Sequence, residues 1–320
     1  MNSTLVDQIA EAERLIRPHV RETPVLPSSA LSEATGNDVW LKCENLQVTG
    51  SFKIRGATNR MLTLAPDVQH RGVVAASSGN HGLAVAHACN ALGIPATVYV
   101  PEGASPVKVA GMRRLGATVI PFGTDGLDTE VEARRQAEHG GRFYASPYND
   151  LAVVAGQGSI GVELLRQLGD VAAVIVAVGG GGMIAGIGAW VKHHAPGAVI
   201  VGAQPANSRV MHASVTAGHV VDLASQPTLS DGTAGGVESN TVTFPLCRDL
   251  VDEWVDVPEE DIATGMRHAI EVEHLLIEGA AAVAIAAERR MRARPRGKVA
   301  IVLCGANVSA ATLRTALQGD

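Results

Sequence analysis

The sequence predicts an α/β protein whose parallel sheets are covered by helices on both faces. Strand-like and helix-like patterns alternate over almost the whole chain, and such alternation is typical of parallel sheets. With 320 residues, 46% of them hydrophobic, the chain can bury a large core and is long enough for two lobes. No low-complexity linker divides the chain. A second lobe is therefore expected as an insertion in the first.

Short apolar runs rich in β-branched residues predict the strands. They lie at about 39–42, 73–76, 96–100, 119–121, 142–145, 172–178, 199–203, 253–257 and 298–303. Helical patterns lie between most of these runs. They cover about 82–92, 106–115, 129–139, 154–168, 183–194, 260–275 and 279–290. Because open parallel sheets bind ligands beyond the carboxyl ends of their strands, the turns that follow 76, 178 and 303 are candidate sites.

Composition and charge exclude several classes of protein. A net charge of −6 and a pI near 6.0 provide no basic patch of the kind that nucleic acid requires. Asp7, Glu11 and Glu13 in the first helical segment argue against a signal peptide, and no uninterrupted apolar run reaches membrane-spanning length. The four cysteines have no metal-ligand spacing and fit a reducing compartment. We therefore expect a cytoplasmic protein that binds neither nucleic acid nor membrane.

The run Gly179–Gly182 is the most informative motif. It follows the buried apolar stretch 172–178, and the residues from Met183 onward can open a helix. Glycines let the backbone approach an anion closely, and a helix N-terminus offers free N–H groups and a positive dipole end. The run predicts a phosphate-binding cup.

The same run contains Gly180-x-Gly182-x-x-Ala185, which matches a dinucleotide fingerprint. That fingerprint needs an acidic residue at the end of the next strand, whereas here Gln204 follows the strand at 198–203. No Gly-Lys-Ser/Thr follows either, so the run is not a Walker loop. Four contiguous glycines suit a compact monophosphate better than a pyrophosphate. A flexible turn without a ligand is the remaining alternative.

Two further segments carry chemistry. Lys53 lies among small residues in Thr49-Gly-Ser-Phe-Lys-Ile-Arg-Gly56, where a loop enters a helix, and Ala76-Ser-Ser-Gly-Asn-His81 is a polar turn directly after a strand. A partly desolvated lysine near helix N-termini has a pKa below its usual value of about 10.4 and can form a Schiff base. Lysine, phosphate cup and polar turn together indicate pyridoxal 5'-phosphate.

At this point the motifs resemble a known family. The segments 51–57, 77–82, 155–158, 179–183, 276–278 and 304–307 resemble, in order and spacing, the fold-type II pyridoxal phosphate enzymes of the threonine/serine dehydratase and serine racemase group. The resemblance implies a two-lobed, tryptophan synthase β-like fold. A large cofactor-binding domain would comprise 1–54 and 149–320, and a small substrate-covering domain would comprise 55–148. It also implies a homodimer.

The resemblance assigns roles residue by residue. Lys53 would be the Schiff-base lysine and the base for the α-proton, and Ser78 aligns with the hydroxyl that protonates the opposite face in racemases. Asn80 would bond the ring hydroxyl, although it could also cap a helix. Glu278 would be a carboxylate near the cofactor, although it could equally cap the helix that starts at Gly279. The residues assigned to the cofactor are Phe52, Lys53, Asn80, Gly179, Gly180, Gly181, Gly182, Met183, Glu278 and Cys304. Those assigned to the substrate carboxylate are Ser77, Ser78, Gly79 and His81.

Cys304 would face the pyridine nitrogen. A thiol is a weak donor that stays neutral at its ordinary pKa, so it would not keep that nitrogen protonated as an aspartate does, and this favours elimination. The alternative role for Cys304 is that of a small buried hydrophobic residue.

Metal-activated relatives carry acids at the positions of Gln204 and Val210, and this chain lacks both acids. We therefore expect no metal, because hard divalent cations need anionic oxygen ligands.

The sequence thus predicts a lyase of amino-acid catabolism that removes water from threonine, serine or a bulkier 3-hydroxy amino acid and forms a 2-oxo acid and ammonia. The segments 146–149 and 230–238 look closer to the branch that includes hydroxyectoine-utilisation and 3-hydroxy-amino-acid dehydratases. Two alternatives stay open. One is an amino-acid racemase with side elimination, and the other is a nucleotide-binding protein without chemistry.

Overall fold

Two β-sheets organise the chain, which the computed structural model describes over residues 4–293 and 295–318. In spatial order, the strands of the six-stranded sheet are β1 (Val25–Pro27), β2 (Asp38–Lys42), β10 (Lys298–Val302), β7 (Ala173–Ala177), β8 (Val199–Pro205) and β9 (Glu253–Val257). Those of the four-stranded sheet are β5 (Thr118–Pro121), β4 (Ala96–Val100), β3 (Val73–Ala76) and β6 (Phe143–Tyr144).

Helices connect most of these strands. In chain order they are α1 (Leu5–Ile16), α2 (Ser29–Thr35), α3 (Lys53–Leu62), α4 (Pro66–Arg71), α5 (Asn80–Leu92), α6 (Pro106–Arg114), α7 (Gly126–His139), α8 (Leu151–Leu168), α9 (Gly182–His194), α10 (Val210–Ala217), α11 (Thr243–Leu250), α12 (Glu259–Glu271), α13 (Gly279–Arg290) and α14 (Ala310–Leu317). A short 3₁₀ helix, Glu44–Leu46, follows β2. In the part of the chain that the structure describes, none of these helices has both the length and the apolar content to cross a membrane.

The pairing confirms the predicted α/β class. All pairs of the four-stranded sheet are parallel, as are those from β2 through β10, β7 and β8 to β9. All five residues of β7 are buried, as expected for a central strand that helices cover on both faces. The short strand β1 pairs antiparallel to β2 at the sheet edge, and the apolar pattern did not predict it.

The four-stranded sheet is inserted between strands of the larger one, because β3 to β6 fall between β2 and β7 in the chain. The division into two domains, with boundaries at 54/55 and 148/149, stays a prediction. The first boundary lies within α3 and the second lies just before α8.

Several helices begin earlier than the sequence pattern predicts. The helix α8 begins at Leu151 because the side chain of Asp150 accepts a hydrogen bond from the backbone N–H of Ala152. In the same way, Asp125 caps α7. At the other end of the chain, α12 stops at Glu271 rather than at 275, and His274 has a left-handed backbone with φ of 56°. Polar caps, which carry no helical periodicity, explain the shifted starts.

Three turns follow the carboxyl ends of strands, one in the four-stranded sheet and two in the six-stranded sheet. The chain leaves β3 into 77–79 and then α5, leaves β7 into 178–181 and then α9, and leaves β10 into Cys304. Parallel sheets bind ligands at this carboxyl edge.

Candidate active site

A cavity of about 430 Å³ lies at the carboxyl edges of both sheets. Every site residue that the sequence predicts lines this cavity: Phe52, Lys53, Ser77, Ser78, Gly79, Asn80, His81, Gly179, Gly180, Gly181, Gly182, Met183, Glu278 and Cys304. They come from five separate parts of the chain. The fold therefore brings the predicted lysine, polar turn and glycine run together.

The glycine run forms a tight cradle at the start of α9. Gly181 is the residue before the helix, with φ of 84°, a conformation that favours glycine. A Cβ atom on Gly180 would lie 2.3 Å from the ring of Tyr148. The hydroxyl of Thr243 donates to the Gly180 carbonyl at 2.6 Å and holds the turn from outside. The backbone N–H groups at the helix start suit a compact phosphate.

Lys53 is the first residue of α3, and its Nζ donates a hydrogen bond to the carbonyl of Pro147 at 3.0 Å. Burial lowers the pKa of this amine from its usual value to about 8, although the nearby carboxyl of Glu278 opposes the shift. The amine therefore loses its proton more readily near neutral pH than the amine of an exposed lysine does. The unprotonated state is the one in which a lysine acts as nucleophile or base.

Asn80, Glu278 and Asn307 form a hydrogen-bond network along one wall. The Nδ2 of Asn80 donates to both carboxyl oxygens of Glu278, at 2.9 and 3.0 Å. The backbone N–H of Asn307 donates to Glu278 at 3.1 Å, and its Nδ2 donates to the Oδ1 of Asn80 at 2.6 Å. Neither Asn80 nor Glu278 uses its side chain as a helix cap. Both side chains line the cavity.

Cys304 is buried at the end of β10, and burial raises the pKa of its thiol well above the ordinary value. The group is therefore neutral. Its Sγ lies 3.9 Å from Oε1 of Glu278, whose own pKa is raised by burial. The carbonyl of Cys304 accepts a hydrogen bond from the N–H of Phe52 at 3.0 Å and thus ties the start of α3 to this strand. The sequence did not predict that a carboxyl group adjoins the thiol.

The turn 77–81 presents small polar groups at the start of α5. The N–H of Gly79 donates to Oγ of Ser77 at 3.1 Å. Because a carbonyl can only accept, Nε2 of His81 must carry a proton to bond the Ala145 carbonyl at 2.8 Å. Burial, together with the charge of Lys53, lowers the pKa of His81 to about 3. The imidazole is neutral and holds the turn in place.

Some cavity residues were missed by the sequence reasoning. Tyr148 covers the glycine cradle, and its hydroxyl accepts from the N–H of Glu238 at 3.0 Å. Lys108 and Asp231 also line the cavity, with Nζ and Oδ2 3.8 Å apart. The segments 146–149 and 230–238 stood out in the sequence, but no local pattern indicated which of their side chains face a ligand.

Gln204 lies outside the cavity lining, at the end of β8. Its Oε1 accepts from the N–H of His212 at 2.8 Å, and its Nε2 donates to the carbonyl of Val178 at 2.9 Å. Val210 is buried at the start of α10. Over residues 4–293 and 295–318, no group of three or more His, Cys, Asp or Glu side chains is arranged to hold a metal ion.

We expect turnover to be independent of divalent cations, because the amide of Gln204 is engaged by the backbone and carries no charge. Activity should be unchanged after dialysis against a chelator and after addition of magnesium or calcium. Steady-state rates and thermal unfolding would be measured side by side. A rise in turnover or in melting temperature on adding magnesium would contradict this expectation.

Comparison with known proteins assigns the class. Residues 16–305 match the family model described as "Pyridoxal-phosphate dependent enzyme". The chain is 40% identical over 321 aligned residues to a putative threonine dehydratase of Sinorhizobium fredii, which covers 100% of this chain and 97% of that protein. It is 42% identical to the L-threonine ammonia-lyase of Thermotoga maritima, over 95% of this chain and 75% of the relative. The structure of maize serine racemase superimposes with a TM-score of 0.92 and 32% identity, covering 98% and 96% of the two chains.

The chain belongs to the pyridoxal-phosphate dependent enzyme family. Within it, the chain shares the fold of the threonine deaminases and serine racemases, which confirms the predicted fold-type II class. The predicted cofactor, pyridoxal 5'-phosphate, is confirmed too. The residues present fit that cofactor, because a glycine cradle that a Cβ atom would obstruct and a lysine of lowered pKa line one cavity.

Proposed function

We propose that this protein eliminates water from a 3-hydroxy amino acid, such as threonine, serine or a bulkier analogue, and releases a 2-oxo acid and ammonia. The observation that carries the proposal is the placement of Lys53, with its lowered pKa, in the same cavity as the glycine cradle and the turn 77–81. The names of the relatives, threonine dehydratase and threonine ammonia-lyase, support this reaction.

When bound, pyridoxal phosphate supplies an electron sink for the bonds at the substrate α-carbon. The backbone N–H groups of 179–183 would hold its phosphate. The side chain of Asn80, which Glu278 and Asn307 orient, would bond its ring hydroxyl. The turn 77–81 receives the substrate carboxylate with N–H groups at the start of α5. These contacts fix the substrate before any proton moves.

The amine of Lys53 would take the α-proton, and the β-hydroxyl would leave as water with a proton that the Lys53 ammonium can return, so no net proton is gained or lost in this step. Hydrolysis then consumes one water and yields the 2-oxo acid and ammonia, so the net change is loss of ammonia from the amino acid. Cys304 stays neutral and adds no negative charge beside the ring. Tyr148 and the segment 231–236 line the same cavity.

A racemase with side elimination is the second candidate. Ser78 lines the same cavity as Lys53 and offers a hydroxyl that could deliver a proton to the α-carbon. The similarity to maize serine racemase supports this candidate as well. A role as a nucleotide-binding protein without chemistry is disfavoured, because Lys53 and Asn80 would then have no use.

A substrate panel tests the proposal. Threonine, serine and larger 3-hydroxy amino acids would be incubated with the purified protein, and 2-oxo acid, ammonia and the D-isomer would be measured separately. We expect 2-oxo acid and ammonia in equal amounts from at least one substrate, at a higher rate than the D-isomer. Formation of the D-isomer alone would favour the racemase.

We expect Cys304→Asp to lower dehydration relative to α-hydrogen exchange, because a carboxylate would hold the ring nitrogen in its protonated form. The measurement is the ratio of 2-oxo acid formed to deuterium incorporated from heavy water. Cys304→Ser is the matched control, since a neutral hydroxyl should leave the ratio near that of the wild type. The aspartate variant is also made with Glu278→Gln, because the two carboxyl groups would otherwise share a proton. An unchanged ratio would mean that Cys304 only packs.

We infer that the protein is a homodimer. Several large apolar side chains are at least one-third exposed at the β1 edge and its neighbouring loops, namely Leu26, Leu46, Val48, Val272 and Leu276. The loops of Leu46 and Leu276 are adjacent, because Asn45 donates a hydrogen bond to the carbonyl of Leu276 at 3.1 Å. Exposed apolar clusters of this kind are typical of interfaces. Sedimentation of the wild type and of Leu276→Glu would test the inference, with the variant expected to sediment as a monomer.

We propose a cytoplasmic location because of the redox state of the cysteines. All four are free and buried, which suits a reducing compartment. Fractionation of the source cells would test it.

A further inference from the structure

Four charged side chains lie buried together at the start of α3. This group, Lys42, Glu44, Arg55 and Glu163, is called the Arg55 cluster, and none of its side chains is exposed to solvent. The cluster contains two cations and two carboxylates, and a further cation, Arg17, which is 30% exposed, contacts Oε1 of Glu163 at 2.8 Å. The cluster does not line the cavity, and the proposed reaction makes no direct use of it.

Arg55 is the centre of the cluster. Its guanidinium makes a two-point contact with Glu44, with Nε to Oε2 at 2.7 Å and Nη2 to Oε1 at 2.8 Å. A second two-point contact joins Nη1 and Nη2 to the two oxygens of Glu163, both at 2.8 Å. Paired contacts of this kind are directional, so they hold the planar group in one orientation.

The cluster joins four elements. Arg55 lies in the first turn of α3, Glu44 lies in the 3₁₀ helix that follows β2, and Glu163 lies in α8. Lys42 in β2 completes the set through Glu163, with Nζ to Oε2 at 2.6 Å. A displacement of α3 relative to either neighbour would therefore break charged contacts inside a dry interior, where an unpaired charge is strongly unfavourable.

Apart from the cluster, backbone groups hold the start of α3. Phe52, the residue before the helix, has no side-chain capping bond, and the first turn contains no acidic residue. The Phe52 N–H bonds the Cys304 carbonyl, Ser51 pairs with Gly305, and the Gly56 N–H donates to Oε1 of Gln157 at 3.1 Å. Buried ion clusters can often be replaced by apolar side chains without loss of stability, so stability alone does not explain this one.

We propose that Arg55 is a positioning residue for Lys53, which precedes it by two residues in the same helical turn. The two paired contacts fix the turn against Glu44 and Glu163, and the amine of Lys53 is thereby held in the cavity that the glycine cradle also lines. The inference rests on the role proposed for Lys53. A shift of about 1 Å at a reacting group can lower a rate by about 100-fold.

Arg55→Lys in the holoprotein tests this, with Lys42→Met as the matched control. Lysine keeps the charge at 55 but cannot make the two paired contacts. Lys42→Met removes an equally buried member of the same cluster that is anchored on β2 and bonded to Thr23 and Glu163. Both variants should have a lower melting temperature. Only Arg55→Lys should weaken the visible circular dichroism of the bound cofactor and lower kcat by about 10- to 100-fold with KM nearly unchanged.

The visible spectrum requires the cofactor but no substrate, so it separates failure of this inference from failure of the proposed reaction. Arg55→Met should lose more of the signal than Arg55→Lys, since the charge is lost as well. If Arg55→Lys does not fold, Glu44→Gln decides, because it weakens one paired contact at constant volume and should change the same spectrum. The deciding variant is Arg55→Lys or, if that variant does not fold, Glu44→Gln. If its visible dichroism and its kcat equal those of Lys42→Met, the proposal is overturned.

Discussion

We expect Lys53→Ala to abolish both the yellow colour of the purified protein and its activity. The cavity then lacks the amine that binds the cofactor covalently and moves the α-proton. The rate should fall by at least about 10⁴-fold. Borohydride reduction of the wild type followed by peptide mass spectrometry should place the cofactor on Lys53. A modified residue other than Lys53 would refute the assignment.

Lys192→Ala is the control for this change. Lys192 bonds Asp252 at the protein surface, with Nζ to Oδ2 at 2.6 Å, and lies outside the cavity lining. Colour, adduct position and rate should all match the wild type. Loss of colour in both variants would indicate a general loss of fold rather than loss of a specific amine.

Gly186→Ala should lower the free energy of unfolding by about 3 kcal/mol or more, since it overpacks a helix crossing. A Cβ atom at Gly186 would lie 2.3 Å from the carbonyl of Val154 and 2.6 Å from the backbone nitrogen of Gly158, both in α8. Backbone atoms cannot rotate away, so α9 would have to separate from α8. Because α9 begins at the glycine cradle, cofactor affinity should fall with stability.

Gly188→Ala, two residues further along α9, is the matched control. Its Cβ atom would meet nothing nearer than a side-chain atom of Leu250 at 3.3 Å. Alanine favours the helix over glycine by up to about 1 kcal/mol, so this variant should be as stable as the wild type or slightly more stable. Urea unfolding of both variants provides the measurement. Equal stability of the two would show that the crossing is not close-packed.

The elements that depend on local pattern were predictable from sequence. The buried run that became β7 and the glycines before α9 lie together in the chain, and their phosphate-binding geometry follows from backbone freedom and the helix start. Lys53 could be identified because its neighbours carry a dense local motif. Helix starts were less well predicted, since the caps Asp125 and Asp150 lie outside the apolar period.

Contacts between distant parts of the chain were decided only by the tertiary structure. Asn80 bonds Glu278 across 198 residues, and this contact, rather than helix capping, sets the direction of both side chains. Tyr148 meets Gly180, and Arg55 meets Glu163, only because separate elements pack together. Periodicity and motif spacing report which backbone a segment adopts and which chemistry it carries. The partner of a buried polar group depends on burial and on hydrogen-bond geometry, which exist only after the elements have packed.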